Sequence, residues 1–408
     1  MKSRRMNMKP LKMITGKPLL LLIMGLLLAV IAPAYPVHAE NASISTHARA
    51  AALIDVESGR LLYSSRGDEP MLIASLTKIM TAIVAIENGD LTSEVKVGKN
   101  AFAKEGSSLY LKLGEEMLLE DMLYGLMLRS GNDAATAIAE HVGGSEQGFV
   151  HLMNAKAEEL GLKNTHFANP HGLDAEGHYS SANDMAVLTA YAMHNPAFKE
   201  IVKTQEKTAD NPYEKWDYKW ANKNKMLRLY EGADGVKTGY TKKAMRCLVS
   251  SATRGGQQLV AVTLNDGNDW NDHAALLNFG FNHYPLKTLI ERGEGISGYS
   301  FLTSRKFAYP LGQGEEARIT TKLVLNEEPA AAGGTTARTS DFGLRGAVVL
   351  QLGGKEIGRV PVYEPDRLPP EKSLYMKRYS PAGTAEYPAD NWLQALGSAL
   401  RALLQMGR

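Results

Sequence analysis

Strand-patterned stretches on either side of a long helical block constrain this chain more than any other feature. Residues 51–56 are apolar but for Asp55, Glu57-Ser58-Gly59 makes a turn, and Leu61-Leu62-Tyr63 resumes the apolar pattern, so 48–65 reads as a hairpin. Residues 248–252 and 259–264 flank Arg254-Gly255-Gly256 and read as a second hairpin. Between them, about 74–200 carries helical patterning. It is divided by Gly143-Gly144 and by Asn169-Pro170, and 181–184 offers a capping-box-like start for a helix carrying Met185, Leu188 and Ala192. A helix over about 273–283 closes the unit. One sheet must then join chain segments from both sides of the helices, which gives an α/β or α+β fold.

The texture changes after about residue 286. Short runs at 319–325, 347–352 and 357–362 alternate with Gly, Pro and Asn, the pattern of a small all-β, sandwich-like domain over 286–383. The Ala-Gly-Thr stretch at 330–336 reads as a loop. A length of 408 residues, 44% hydrophobic and 22% charged, fits a globular protein of two or three domains.

The two ends have characters of their own. Lys2, Arg4, Arg5, Lys9, Lys12 and Lys17 precede an apolar run at 19–32, and Val37-His38-Ala39 supplies small residues for cleavage before Glu40. Residues 1–39 therefore read as an export signal, and the body, with a first domain at 40–285, is expected to act outside the cytoplasm. The run is short of the roughly 20 apolar residues a spanning helix needs. At the other end Trp392, Leu393, Leu396, Leu400, Leu403, Leu404 and Met406 fall on one helical stripe. Residues 384–408 are expected to be a tether and an amphipathic helix on a membrane surface, the alternative being a helix docked on the protein's own core.

The formal net charge of +2 conceals an excess of acid. Six of the 46 basic residues and none of the 44 acidic ones lie in 1–39, leaving 40 against 44, a net of −4. No surplus of cations remains to neutralise phosphates, which argues against a nucleic-acid partner. The single cysteine, Cys247, excludes an internal disulfide framework and a thiolate zinc cage, and its apolar strand makes it a packing residue.

Three short elements carry chemistry. Ser75-Leu76-Thr77-Lys78 leads into an apolar helix, and a serine and a lysine three apart share a helical face. Serine is a weak nucleophile until a base takes its proton. A lysine of ordinary pKa, about 10.4, is no such base at neutral pH, but burial and a second cation nearby lower that value. Ser130-Gly131-Asn132 sits between two helical runs and offers a hydroxyl and a carboxamide. Lys237-Thr238-Gly239, read as an edge strand, offers an ammonium, a hydroxyl and a free backbone edge, with Gly239 permitting close approach of a ligand. Singly, each is also explained by capping or surface charge.

In this order the three elements match the signature of the penicillin-binding proteins and serine β-lactamases. Over about 45–285 the chain resembles the D-alanyl-D-alanine carboxypeptidases of low molecular mass. Their pattern is carried by Ser75-Leu76-Thr77-Lys78-Ile79-Met80-Thr81, Ser130-Gly131-Asn132-Asp133-Ala134-Ala135, Asn169-Pro170-His171-Gly172-Leu173 and Gly235-Val236-Lys237-Thr238-Gly239-Tyr240-Thr241. The resemblance implies a transpeptidase-like domain with an antiparallel sheet and a helical subdomain, followed by the β domain. It implies that Ser75 attacks the bond between two terminal D-alanines of a peptidoglycan stem peptide and that Lys78 takes its proton. Ser130 then relays a proton to the leaving nitrogen, and Asn132 holds the substrate amide. Lys237 and Thr238 bind the terminal carboxylate beside Gly239, and the N–H groups of Ser75 and Tyr240 form the oxyanion hole. β-Lactams are implied as inhibitors that acylate Ser75, and neither metal nor cofactor is implied. Ala244-Met245-Arg246 departs from the common pattern. Together with Asn265-Asp266 through Trp270 to His273, it is more similar to sporulation-associated members.

Rival readings are weaker. His166, His171 and His178 lack the i, i+4 pairing of a metal-binding helix, so His171 reads as part of a turn and the others as surface or capping residues. The run 266–272 fails the calcium-loop template, with Asn271 where glycine belongs, and reads as helix capping. No segment convincingly supplies the extra glutamate of a class A β-lactamase. An endopeptidase cutting crosslinks is chemically adjacent, and a non-catalytic wall-binding protein is expected to have lost a motif residue, which this chain has not.

Overall fold

The computed structural model describes residues 44–326 and 343–370. The expected export signal, the loop at 330–336 and the tether with its helix lie outside the described residues. Among the described residues no helix is long and apolar enough to cross a membrane.

A five-stranded antiparallel sheet forms the centre, in the order Leu61–Ser65, Ala50–Asp55, Gln257–Leu264, Met245–Arg254, Ala233–Thr241. Both expected hairpins are present, and they meet along one ladder running from Ala50 opposite Leu264 to Asp55 opposite Leu259. Alternation sorts the side chains. Ala50, Ala52, Ile54, Val260 and Val262 face one apolar core, while Ala51, Leu53, Leu259 and Ala261 face another. The sheet is thus covered on both faces. Helix Asp269–His283 seals one face through Leu276 and Leu277, and the helical block seals the other.

The helical block is less continuous than its sequence reads. Helix Lys78–Asn88 is followed by a small hairpin of Glu94–Lys96 with Glu116–Leu118. Helices Leu119–Tyr124, Asn132–Gly143, Glu146–Glu159, Ala182–Ala192 and Pro196–Lys203 complete the block. Local chemistry sets their ends. Ser145 Oγ accepts from Gly148 N, Ser181 Oγ accepts from Asp184 N, and Asn195 caps a helix that has Pro196 in its first turn. Helix Lys78–Asn88 is buried from Lys78 through Ala85, including its one lysine, and so lies at the centre of the larger core. The closing helix starts at Asp269, four residues earlier than its apolar pattern indicates, with Asp269 and Asp272 in the first turn where the helix dipole favours acids.

Beyond residue 285, Leu286–Ile290 pairs with Phe307–Pro310. Leu302–Thr303, Lys355–Tyr363, Leu344–Leu352 and Ile319–Leu325 form a four-stranded antiparallel sheet with its own core of Ile290, Val348, Leu350, Val360 and Val362. Arg60, just past the first hairpin turn, reaches this region. It donates to Glu315 Oε1 and Oε2 and to Pro310 O, each at 2.7 Å, with its guanidinium near the rings of Tyr284 and Tyr309.

Candidate active site

The site lies where the start of the central helix meets the free edge of the sheet. Ser75 sits in a tight turn, Ala74–Thr77, that feeds directly into helix Lys78–Asn88. Ala74 has a φ of 48°, an uncommon conformation for a residue with a Cβ, and two contacts hold it. Thr77 Oγ1 donates to Ala74 O at 2.9 Å, and Gly172 packs so closely that a Cβ there would lie 2.0 Å from that carbonyl oxygen. The Gly172 φ of 82° also favours glycine.

Lys78 follows one turn later with its side chain fully buried. Its Nζ lies 3.2 Å from Ser75 Oγ and 2.7 Å from Asn132 Oδ1, and it donates to the backbone carbonyl of His171. No carboxylate stands among these partners. Burial, then the charges of Lys237 and Lys223, hold the Lys78 pKa well below the usual lysine value, with Asp133 offsetting part of this. The start of a helix also disfavours an ammonium. Each influence but Asp133 favours the free amine, the state that accepts a proton from serine.

Ser130 and Asn132 come from a distorted junction. Helix Leu119–Tyr124 runs into a wide π-turn, Gly125–Arg129, and Ser130 follows with a φ of 67° before helix Asn132–Gly143 begins. Such bulges recur at functional sites. Ser130 Oγ is buried and has no hydrogen-bond partner among the described residues, and an unsatisfied buried hydroxyl carries a real cost. Asn132 is fixed from two sides, through Lys78 and through donation of Nδ2 to Glu105 O at 2.6 Å. Asp133 then anchors the loop that supplies Glu105, accepting from Leu109 N, Leu111 N and Ser108 Oγ.

The third element is, as expected, on an edge strand. Among the described residues, Ala233–Thr241 has only Met245–Arg254 as a neighbour in the sheet. At Gly239 an added Cβ would lie 3.1 Å from Ser75 N and 3.2 Å from Ile73 O, so the strand edge lies directly against the serine turn. Lys237 is 1% exposed and donates to Thr238 O at 2.8 Å. Burial, then Lys223, lowers its pKa to about 7. Tyr240, the next residue on the strand, is 60% exposed.

Lys78 thus touches both Ser75 and Asn132, Gly239 abuts Ser75, and Lys237 acts on Lys78 through its charge. Three supports leave no mark in the sequence. The carbonyls of His171 and Glu105 act through backbone atoms, which carry no side-chain signature. Lys223, in the polar run Asn222-Lys223-Asn224, looks like any surface lysine. The reading of His178 as a surface or capping residue is wrong: it is 2% exposed, with Nε2 2.7 Å from Thr77 Oγ1 and Nδ1 accepting from Ala168 N. It buttresses the serine turn. His171 is buried as well, 3.6 Å from Glu146, which also pairs with Lys104 at 3.3 Å. Cys247 is buried and its thiol pKa is pushed up to about 12 by burial, as befits a packing residue. Arg246 pairs with Asp269, so the two segments that depart from the common motif pattern contact each other.

The family whose description is D-alanyl-D-alanine carboxypeptidase, peptidase S11, matches residues 36–268. D-alanyl-D-alanine carboxypeptidase DacF of Bacillus subtilis is 35% identical over 314 residues, covering 74% of this chain and 80% of its own length. DacC of Escherichia coli is 35% identical over 344 residues, covering 78% and 83%. Among solved structures, penicillin binding protein 5 from Haemophilus influenzae aligns with a TM-score of 0.63 and 28% identity over 79% of this chain and 97% of that one. The D-alanyl-D-alanine carboxypeptidase DacD from Francisella tularensis aligns with a TM-score of 0.61 and 26% identity, over 79% and 94%.

Proposed function

The chain belongs to the D-alanyl-D-alanine carboxypeptidase family, and from that premise we propose that it removes the terminal D-alanine from peptidoglycan stem pentapeptides through an ester on Ser75. One observation carries the reading: a buried amine with no carboxylate partner among the described residues, Lys78 Nζ, 3.2 Å from the Ser75 hydroxyl.

Lys78 takes the proton as Ser75 Oγ bonds to the scissile carbonyl carbon. The N–H groups of Ser75 and Tyr240 receive the developing oxyanion, and such a donor is worth about 3–4 kcal/mol in enzymes where it has been removed. The C–N bond then breaks. The proton returns through Ser130, whose hydroxyl has no partner among the described residues, to the nitrogen of the departing D-alanine. Water next attacks the ester, again giving up a proton to Lys78, and Ser75 is restored. Asn132 has a second amide hydrogen for a substrate carbonyl. Lys237 and Thr238 take the terminal carboxylate, and that anion in turn supports the charged form of Lys237. β-Lactams enter the same path and stop at the ester.

The rest of the assignment follows the sequence: export by 1–39, catalysis in 40–285, a β domain at 286–383, and a tail at 384–408 that contacts the outer face of the membrane. A role in the spore wall is inferred from Ala244-Met245-Arg246 and the 265–273 segment. The purified protein is expected to convert a pentapeptide to a tetrapeptide plus D-alanine, read by mass. A labelled penicillin is expected to mark the wild type and not Ser75→Ala. Equal labelling of both would sink the assignment, and release of peptide fragments larger than one residue would make it an endopeptidase.

A further inference from the structure

We propose that Asp174 selects substrates by charge, binding a side-chain ammonium on the residue just before the D-alanyl-D-alanine end. The inference rests on the proposed reading, because that reading fixes which way a substrate lies.

Lys237, Gly239 and Thr241 stand on one face of the edge strand, opposite Val249, Cys247 and Met245 in the ladder. Along a strand each pair of residues spans about 7 Å. Gly239 abuts Ser75 N, so the reacting carbonyl lies beside it. Lys237 marks the carboxylate end about 7 Å to one side, and Thr241 lies about 7 Å to the other. An extended peptide pairing with this free edge runs antiparallel to it, with its acyl side passing Thr241. The residue that precedes the two D-alanines therefore projects its side chain near Thr241.

A carboxylate waits there. Thr241 Oγ1 donates to Asp174 Oδ1 at 2.9 Å and accepts from Ala244 N at 2.9 Å, so the direction of the first bond is fixed. Asp174 is exposed, and among the described residues no lysine or arginine forms an ion pair with it. Its position is set by the same loop that supports the catalytic amine. Asn169 accepts from Gly172 N and donates to Leu173 O, His171 O accepts from Lys78, and Gly172 is wedged against Ala74 O. The carboxylate is therefore presented by rigid backbone, which reduces the entropy lost on pairing. The cleft is cationic at the leaving-group end and anionic at the acyl end, complementary to a peptide with a C-terminal carboxylate and an upstream ammonium.

The test uses the full chain and two pentapeptides identical except that the upstream side-chain amine is free in one and acetylated in the other. The readout is kcat/KM for D-alanine release. The wild type is expected to favour the free amine about fivefold, the scale of an exposed ion pair. Asp174→Asn is expected to bring that ratio close to one by slowing the free-amine peptide, with the acetylated peptide unchanged and the preference salt-insensitive. Thr241→Val keeps the charge and is expected to retain most of the preference. A wild type without preference, or an Asp174→Asn variant that slows both peptides alike, overturns the proposal and leaves Asp174 a scaffold residue. A wild type that releases D-alanine from neither peptide overturns the catalytic reading itself.

Discussion

The floor of the cleft and the core of the second sheet are both buried, yet they are made of opposite materials. Around Ser75 the interior holds Thr77, Lys78, Ser130, Asn132, Asp133, His171, His178 and Lys237, and the backbone takes positive φ at Ala74 and Ser130. In the second sheet the described core is Ile290, Val348, Leu350, Val360 and Val362, with Thr303 and Ser304 the buried polar residues of the region. Burial of polar groups costs free energy unless they are paired, and burial of apolar groups supplies it. The first region is poised for chemistry, and the second contributes stability. Substitutions are expected to separate the two properties.

The largest effect belongs to Lys78→Ala. Loss of a positioned general base lowers rate by about 10²–10⁴-fold, so labelling by penicillin is expected to slow by that factor while the chain remains folded, at a cost in thermal midpoint set by the cavity and by the unpaired Asn132 Oδ1 and His171 O. Acylation also carries a pH signature. It is expected to rise as Lys78 loses its proton at a pH well below the usual lysine value, and to fall above about 7, as Lys237 loses the charge that attracts a carboxylate. The sign follows from which form each lysine needs: neutral for Lys78, charged for Lys237. Stopped-flow acylation from pH 5 to 10 measures it. A rate that climbs monotonically to pH 10 removes Lys237 from the proposed role, and unchanged acylation in Lys78→Ala removes the base.

In the second sheet the expectation inverts. Leu350 is fully buried, and Leu350→Ala is expected to cost about 2–5 kcal/mol through lost burial and the cavity left behind. Denaturant melts measure the loss, and the penicillin-labelling rate of the folded fraction is expected to stay at the wild-type value. A parallel fall in labelling would mean that the second core also supports the cleft, through links such as Arg60–Glu315.

The same division governs what could be read from sequence. The hairpins, the edge position of Lys237-Thr238-Gly239 and the second sheet follow apolar alternation and turn residues, which act locally. The pairing of Ser75 with Lys78 follows helical spacing. What escaped is carried by contacts between segments distant in sequence. Asn132 meets Lys78 and Glu105, His171 O meets Lys78, and Lys223 biases both buried lysines through space. Ala74 looks like an ordinary helix former, and its positive φ appears only once Gly172 and Thr77 close on it. Apolar periodicity placed the last helix at His273, because it cannot register Asp269 and Asp272, which start that helix by charge rather than by hydrophobicity.

His178 is a cleft support that behaves like a core residue, and the effect expected there is smaller. The Thr77 hydroxyl hydrogen is committed to Ala74 O, so His178 Nε2–H donates to Thr77 Oγ1 and Nδ1 accepts from Ala168 N. Both nitrogens are satisfied by the neutral ring. A second proton on Nδ1 would face the Ala168 N–H, and burial, its largest influence, lowers the His178 pKa from 6.5 to about 4. A base whose folded pKa is depressed supports stability above its unfolded value and loses that support as pH falls between the two, here from 6.5 towards 4. Over pH 7 to 5 the loss is about 2 kcal/mol. His273, lowered to about 3 by burial, adds to the same trend, so the measurement must be differential. The unfolding free energy of His178→Gln is expected to fall less steeply with acid than that of the wild type, by up to one proton in the slope. Parallel curves would mean that His178 gains its proton without disturbing the serine turn, and the neutral ring would then not be what holds Ala74 in place.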